Sequence, residues 1–159
     1  MGPLINVDFR DTIVEGRHAN AESKLKFQFA YDRAVEFADN PHGWFVLSGA
    51  SGLGKTHLAA AIANRVIGNG SPVLFVFVPD LLDHLRRTYT PDTDISYDQL
   101  FYQVRDAPLL ILDDLGGHTA TPWAQEKLYQ ILNYRYAARL ATVITHSIDL
   151  QEMDYRWQT

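Results

Sequence analysis

The sequence has 159 residues, 47% of them hydrophobic and 21% charged, with a formal net charge of -5 and no cysteine. That length suits one ordinary domain with a single core, and the composition excludes a largely disordered chain, disulfides and thiolate metal sites. No apolar run approaches the ~20 residues of a bilayer span, and the negative charge excludes an all-over basic nucleic-acid surface, so a cytoplasmic protein without a membrane partner is expected.

No internal repeat or low-complexity tract interrupts the chain. The segment up to about Ala19 is mixed and expected to be irregular. Asn20 can cap a helix towards Asp39, in which Leu25, Phe29, Ala30, Ala34, Phe37 and Ala38 recur at helical spacing; Asn40-Pro41-His42-Gly43 stops it. Trp44-Phe45-Val46-Leu47 reads as a strand. After a glycine-rich turn comes a helix with Leu58, Ala59, Ile62, Ala63, Val66 and Ile67 along one side, ended by Gly68-Asn69-Gly70-Ser71-Pro72. Val73 to Val78 reads as a second buried strand, and Pro79-Asp80 opens a helix through Leu81, Leu82, Leu85 and Arg86 that Pro91-Asp92-Thr93-Asp94 breaks. Ser96 with Gln99 forms a capping box for the next helix, which ends before Pro108. Leu109-Leu110-Ile111-Leu112 is a third strand. Thr121 caps, and Pro122 opens, a helix with Leu128, Ile131 and Leu132 that continues to about Ala138; Thr142-Val143-Ile144-Thr145 makes a fourth strand. Apolar strands alternating with helices predict an α/β fold, a parallel sheet of at least four strands sandwiched by helices. Right-handed crossovers put every strand's carboxyl end on one edge, where ligands bind.

Gly49-Ala50-Ser51-Gly52-Leu53-Gly54-Lys55-Thr56 satisfies the phosphate-loop pattern between a predicted strand and a predicted helix. In that setting backbone N–H groups cradle the phosphates of ATP, Lys55 reaches the β and γ phosphates, and the Thr56 hydroxyl ligates Mg²⁺. His57 is grouped with this cofactor-binding stretch, although a single histidine there reads first as packing or a cap. Asp113 and Asp114 follow the third strand, on the same edge as the loop. Asp113 is assigned to the metal and Asp114 to polarising the attacking water; without the loop, the pair would read as ordinary capping acids. Thr145-His146-Ser147 ends the fourth strand, where a polar side chain can sense the γ-phosphate. His146 and Ser147 compete for that role against a plain strand-end loop, and Ser147 joins Lys55 and Asp114 as the catalytic set. Arg86 and Arg87 beside Tyr89 make a small basic and aromatic cluster for nucleic acid, although paired helical arginines are more often a solvated face.

Gathered together, these residues resemble the DnaC-type replicative helicase loaders and the related IstB-type transposition helper ATPases, in the initiator branch of AAA+ proteins. The resemblance runs from about Gly43 to Arg156 and rests on Gly43-Trp44-Phe45-Val46-Leu47, Gly54-Lys55-Thr56-His57-Leu58-Ala59, Val78-Pro79-Asp80-Leu81-Leu82 and Leu112-Asp113-Asp114-Leu115-Gly116. The helix Trp123-Ala124-Gln125-Glu126-Lys127-Leu128-Tyr129, with Asn133-Tyr134-Arg135-Tyr136, belongs to it as well. It implies one AAA+ P-loop ATPase core over residues 1–159, using ATP and Mg²⁺, with a replicative ring helicase and single-stranded DNA as partners and self-assembly in a longer parent. Two departures stand out. Ser147 occupies a position where the family commonly has Asn. Leu150 to Thr159 resembles the start of the arginine-finger segment, with Arg156 near its first arginine, and neither a fifth strand nor a helical lid is found. Hydrolysis by this core is therefore expected to be slow, because a finger arginine comes from a neighbour, unless Arg135 or Arg156 serves internally. A transposition helper and a nucleotide-gated binding module with negligible hydrolysis are the alternatives. A small-molecule kinase would need an arginine-rich lid.

Overall fold

The computed structural model describes residues 21–50, 52–88, 94–116, 121–147 and 154–158. Helix α1 (Ala21–Asp39) buries Ser23, Phe27, Ala30, Ala34, Phe37 and Ala38, each three or four residues from another along one face. Leu25 and Phe29, expected in that stripe, are instead 55% and 50% exposed. Each lies two residues from Phe27, roughly 200° around the helix, so the choice of Phe27 as the inward anchor turns both outward. Asn20 lies outside the described residues.

Strand β1 (Trp44–Gly49) leads into α2 (Lys55–Gly68), whose inner side is Leu58, Ala59, Ile62, Ala63 and Val66; Ile67, predicted among them, is exposed. Strand β2 (Leu74–Phe77) is shorter than the predicted run because Val78 already begins α3 (Val78–Thr88). Helix α4 (Asp94–Asp106) starts two residues before Ser96. Strand β3 (Leu109–Leu115), α5 (Pro122–Ala137) and β4 (Ala141–Ser147) follow. No described helix is long and apolar enough to cross a membrane.

The sheet order is β2-β3-β4-β1, all parallel, with β5 (Asp154–Gln158) added antiparallel to β1. This fifth strand corrects the expectation that none is present. Its sequence alternates polar and aromatic residues, the period-two signature of a strand buried on one face. Tyr155 stacks on Phe45 at 6.1 Å, and Trp157 meets Phe37 and Phe45 edge-on while its Nε1 donates to the His42 carbonyl at 2.9 Å. Arg156 points away from those rings, is 75% exposed, and lies 3.9 Å from Asp154.

Alternation along the strands makes two cores. Phe45, Leu47, Leu109, Ile111 and Val143 face α1 and α2; Leu110, Leu112 and Ile144 face α3, α4 and α5. The second core is pinned by Arg135, which is fully buried. Its Nε donates to Thr142 Oγ1 (2.9 Å), Nη1 to the carbonyls of Arg105 (2.9 Å) and Ala107 (2.6 Å), and Nη2 to that of Ala141 (2.7 Å). Burial pulls its pKa down to about 10, against the opposing charge of Asp106. Committed to carbonyls at the amino ends of β3 and β4, Arg135 is no internal arginine finger.

Thr121 caps α5 as its sequence predicts, accepting from the Ala124 N–H at 3.2 Å from an extended backbone. The same oxygen accepts from Arg86 Nη2 at 3.1 Å. Thr121→Ala is therefore expected to lower the unfolding free energy by about 1 kcal/mol, read as a shifted urea midpoint with an unchanged slope. An unchanged midpoint would show that the cap adds nothing here.

Candidate nucleotide site

The carboxyl ends of β1, β3 and β4 meet at one edge, and β4 lies between the other two. From β1 the chain turns through Gly52 and Gly54, at φ 85° and 92°, a region costly for residues with a Cβ. Gly54 caps α2 without any side-chain hydrogen bond, which leaves the first N–H groups of the helix to the loop they face. Ser51 lies outside the described residues. Lys55 opens the helix and is 6% exposed, its Nζ donating to the carbonyls of Gly49 (2.8 Å) and Ala50 (2.7 Å). Burial lowers the ammonium's pKa, while the charges of Asp114 and Asp113 act the other way.

Thr56 Oγ1 donates to Asp113, 2.9 Å from Oδ1 and 3.2 Å from Oδ2. Asp113 is 3% exposed at the end of β3 and takes a second hydroxyl, Thr145 Oγ1, at 2.7 Å. Between Leu112 and Leu115 the β3–β4 register shifts, and Asp114 sits in that irregularity with φ 64°. A bulge of this kind re-aims a side chain that regular pleating would send to the opposite face from Asp113. Asp114 N–H donates to Thr145 Oγ1 (2.8 Å), and Ser147 Oγ donates to Asp114 Oδ1 (3.2 Å).

The sequence-derived residues thus converge: Lys55, Thr56, Asp113, Asp114 and Ser147 occupy one edge. Ser147 shares the α2 face of β4 with Thr145, whereas alternation turns His146 to the other face. His57 Nε2 is buried and has no hydrogen-bond partner among the described residues. Arg86 is drawn to α5, with its guanidinium 5.2 Å from the Trp123 ring besides the Thr121 contact, and Arg87 pairs with Asp83 at 2.6 Å. Tyr89 lies outside the described residues. Thr145 escaped the sequence reading: a β-branched residue in an apolar strand reads as a strand former, and only its place two residues before Ser147 marked its face.

Hard oxygen donors, the Thr56 hydroxyl and the Asp113 carboxylate, suit Mg²⁺. Among the described residues no cluster of three or more His, Cys, Asp or Glu could hold a metal ion. The glycine turn and the uncapped start of α2 suit a polyphosphate. A separate cavity of about 500 Å³, lined by Arg33, His42, Tyr155, Arg156 and Trp157, lies beside β5 and shares no residue with this site.

The replicative helicase loader DnaC of Buchnera aphidicola subsp. Schizaphis graminum is 30% identical to the chain over 94% of its length, and the chain spans 58% of that relative. Among solved structures, the crystal structure of the DnaC helicase loader aligns with a TM-score of 0.68 at 28% identity, covering 92% of this chain and 79% of that one. AMPPCP-bound DnaA from Aquifex aeolicus aligns with a TM-score of 0.73 at 19% identity, over 91% of this chain and 43% of that one, a likeness of fold. The fold is that of the AAA+ P-loop NTPases. With the sequence profile of the IstB-like ATP binding proteins matching residues 19–158, the chain belongs to that family.

Proposed function

We propose that this chain is the ATP-hydrolysing core of a replicative helicase loader that works on single-stranded DNA. The observation that carries the ATPase reading is the array Thr56–Asp113–Thr145–Asp114 facing the Lys55 loop. On this reading Lys55 exchanges the Gly49 and Ala50 carbonyls for β and γ phosphate oxygens. Thr56 and Asp113 would hold Mg²⁺, which would offset the charge of the phosphates. Asp114 accepts the proton of the attacking water, and Ser147 orients Asp114 as well as facing the γ-phosphate. The bound cofactor supplies the phosphoryl group; the chain binds, orients and takes up a proton.

The loader assignment draws on the similarity to DnaC proteins, which are replicative helicase loaders. The family's IstB-like description favours a second reading, a transposition helper with the same chemistry and a transposase partner. Single-stranded DNA would contact Arg87, whose side chain is 75% exposed, by displacing Asp83; Arg86 would first have to leave Thr121.

Two measurements on the purified chain test this. Phosphate release with Mg-ATP, slow alone, is expected to change on adding single-stranded oligonucleotide. Gel filtration with a replicative ring helicase is expected to give co-elution. No detectable turnover under either condition would leave a nucleotide-gated binding module, and co-elution with a transposase but not the helicase would favour the second reading.

A further inference from the structure

We propose that Thr145 is a positioning residue for this site, its one hydroxyl fixing the metal-side carboxylate of Asp113 and the backbone of Asp114 together. The inference rests on the ATPase reading above. A threonine hydroxyl has one proton to give and lone pairs to receive. Here the proton goes to Asp113 Oδ1 at 2.7 Å, a shorter contact than the 2.9 Å from Thr56, and a lone pair receives the Asp114 N–H at 2.8 Å. Thr145 is 1% exposed, so water has little access to replace either bond.

The reason a side chain is needed lies in the sheet. Parallel pairing of β3 with β4 is regular up to Leu112 and resumes at Leu115, so the shift falls on the two acids. The ladder's break leaves the Asp114 N–H to the Thr145 hydroxyl. That bond helps hold Asp114 at φ 64°, a left-handed conformation that a residue with a Cβ seldom adopts. Ser147, two residues further along the same face, tethers the Asp114 carboxylate. The strand thus sets each carboxylate by one hydroxyl, and among the described residues Thr145 is the one hydrogen-bonded to both acids. Moving it would shift the metal ligand and the base relative to each other.

The test compares wild type, Thr145→Val and Thr145→Ser. A fluorescent ATP analogue is titrated with Mg²⁺, then again in EDTA, and phosphate release is measured in parallel. Outer-sphere partners of this type are worth 10- to 100-fold in metal affinity or activity, so T145V is expected to need about tenfold more Mg²⁺ for half-maximal binding and to turn over about tenfold more slowly. In EDTA its nucleotide affinity is expected to equal wild type, since Lys55 and the loop amides are untouched. T145S, which keeps the hydroxyl, is expected to restore both quantities. A wild-type Mg²⁺ midpoint and turnover in T145V would overturn the proposal. So would a T145S protein as impaired as T145V, which would assign the effect to the methyl group. If T145V does not fold, T145A removes the same hydroxyl and is read against the same expectations. A wild-type chain that binds no ATP overturns the ATPase reading itself, an outcome separate from equality of the variants.

Discussion

Asp114→Asn is expected to keep Mg-ATP bound with unchanged affinity while phosphate release falls by about 10² to 10⁴, the range for removing a general base. Asparagine has the shape of aspartate and tolerates positive φ better than other residues with a side chain, so the backbone at φ 64° need not rearrange. Its amide oxygen can still accept from Ser147 Oγ. Asp113 keeps its bonds to Thr56 and Thr145, so the metal side of the site is intact. Calorimetry for binding and single-turnover phosphate release for chemistry separate the two effects. If Asp114→Asn loses nucleotide while Asp113→Asn keeps it, the two roles are exchanged.

Lys55→Ala is expected to weaken ATP binding by more than about tenfold without loss of the fold. Hydrogen bonds to charged groups contribute about 1.5–3 kcal/mol, and about 1.4 kcal/mol is tenfold in affinity. The fold should survive because Nζ bonds two carbonyls of the turn, and burial already disfavours its charge. Alanine is also the best helix former at the start of α2. Equal affinity by calorimetry, alongside an unchanged thermal midpoint, would remove Lys55 from the phosphate site.

Much of the architecture was legible because the strands carry their own signal. The runs beginning at Trp44, Val73, Leu109 and Thr142 are apolar, and glycine or proline marks most of their limits. The phosphate loop was legible for a different reason, since its glycines and Lys55-Thr56 lie between a strand and a helix. What failed was choice among apolar residues: Leu25, Phe27 and Phe29 all fit a helix, and only packing against the sheet selects Phe27. Strand β5 was hidden by the resemblance of Leu150 to Thr159 to a finger segment, which drew attention to Arg156 rather than to the alternation around it. Thr145 was hidden because its partner Asp113 lies 32 residues away, and the anchoring role of Arg135 because two of the carbonyls it binds, those of Arg105 and Ala107, lie 30 and 28 residues away.

The Arg135 anchor makes the sheet's fluctuations unequal from end to end. Parting β3 from β4 at their amino ends would strand a guanidinium and several carbonyls in one event, so amides there are expected to exchange hydrogen only through wide, cooperative opening. At the carboxyl ends the ladder is interrupted beside Asp114, where a side-chain hydroxyl takes its place, so smaller openings are expected to suffice for exchange. The sheet is thus expected to act as a hinge plate fastened along one side, its amino-end margin the harder to open.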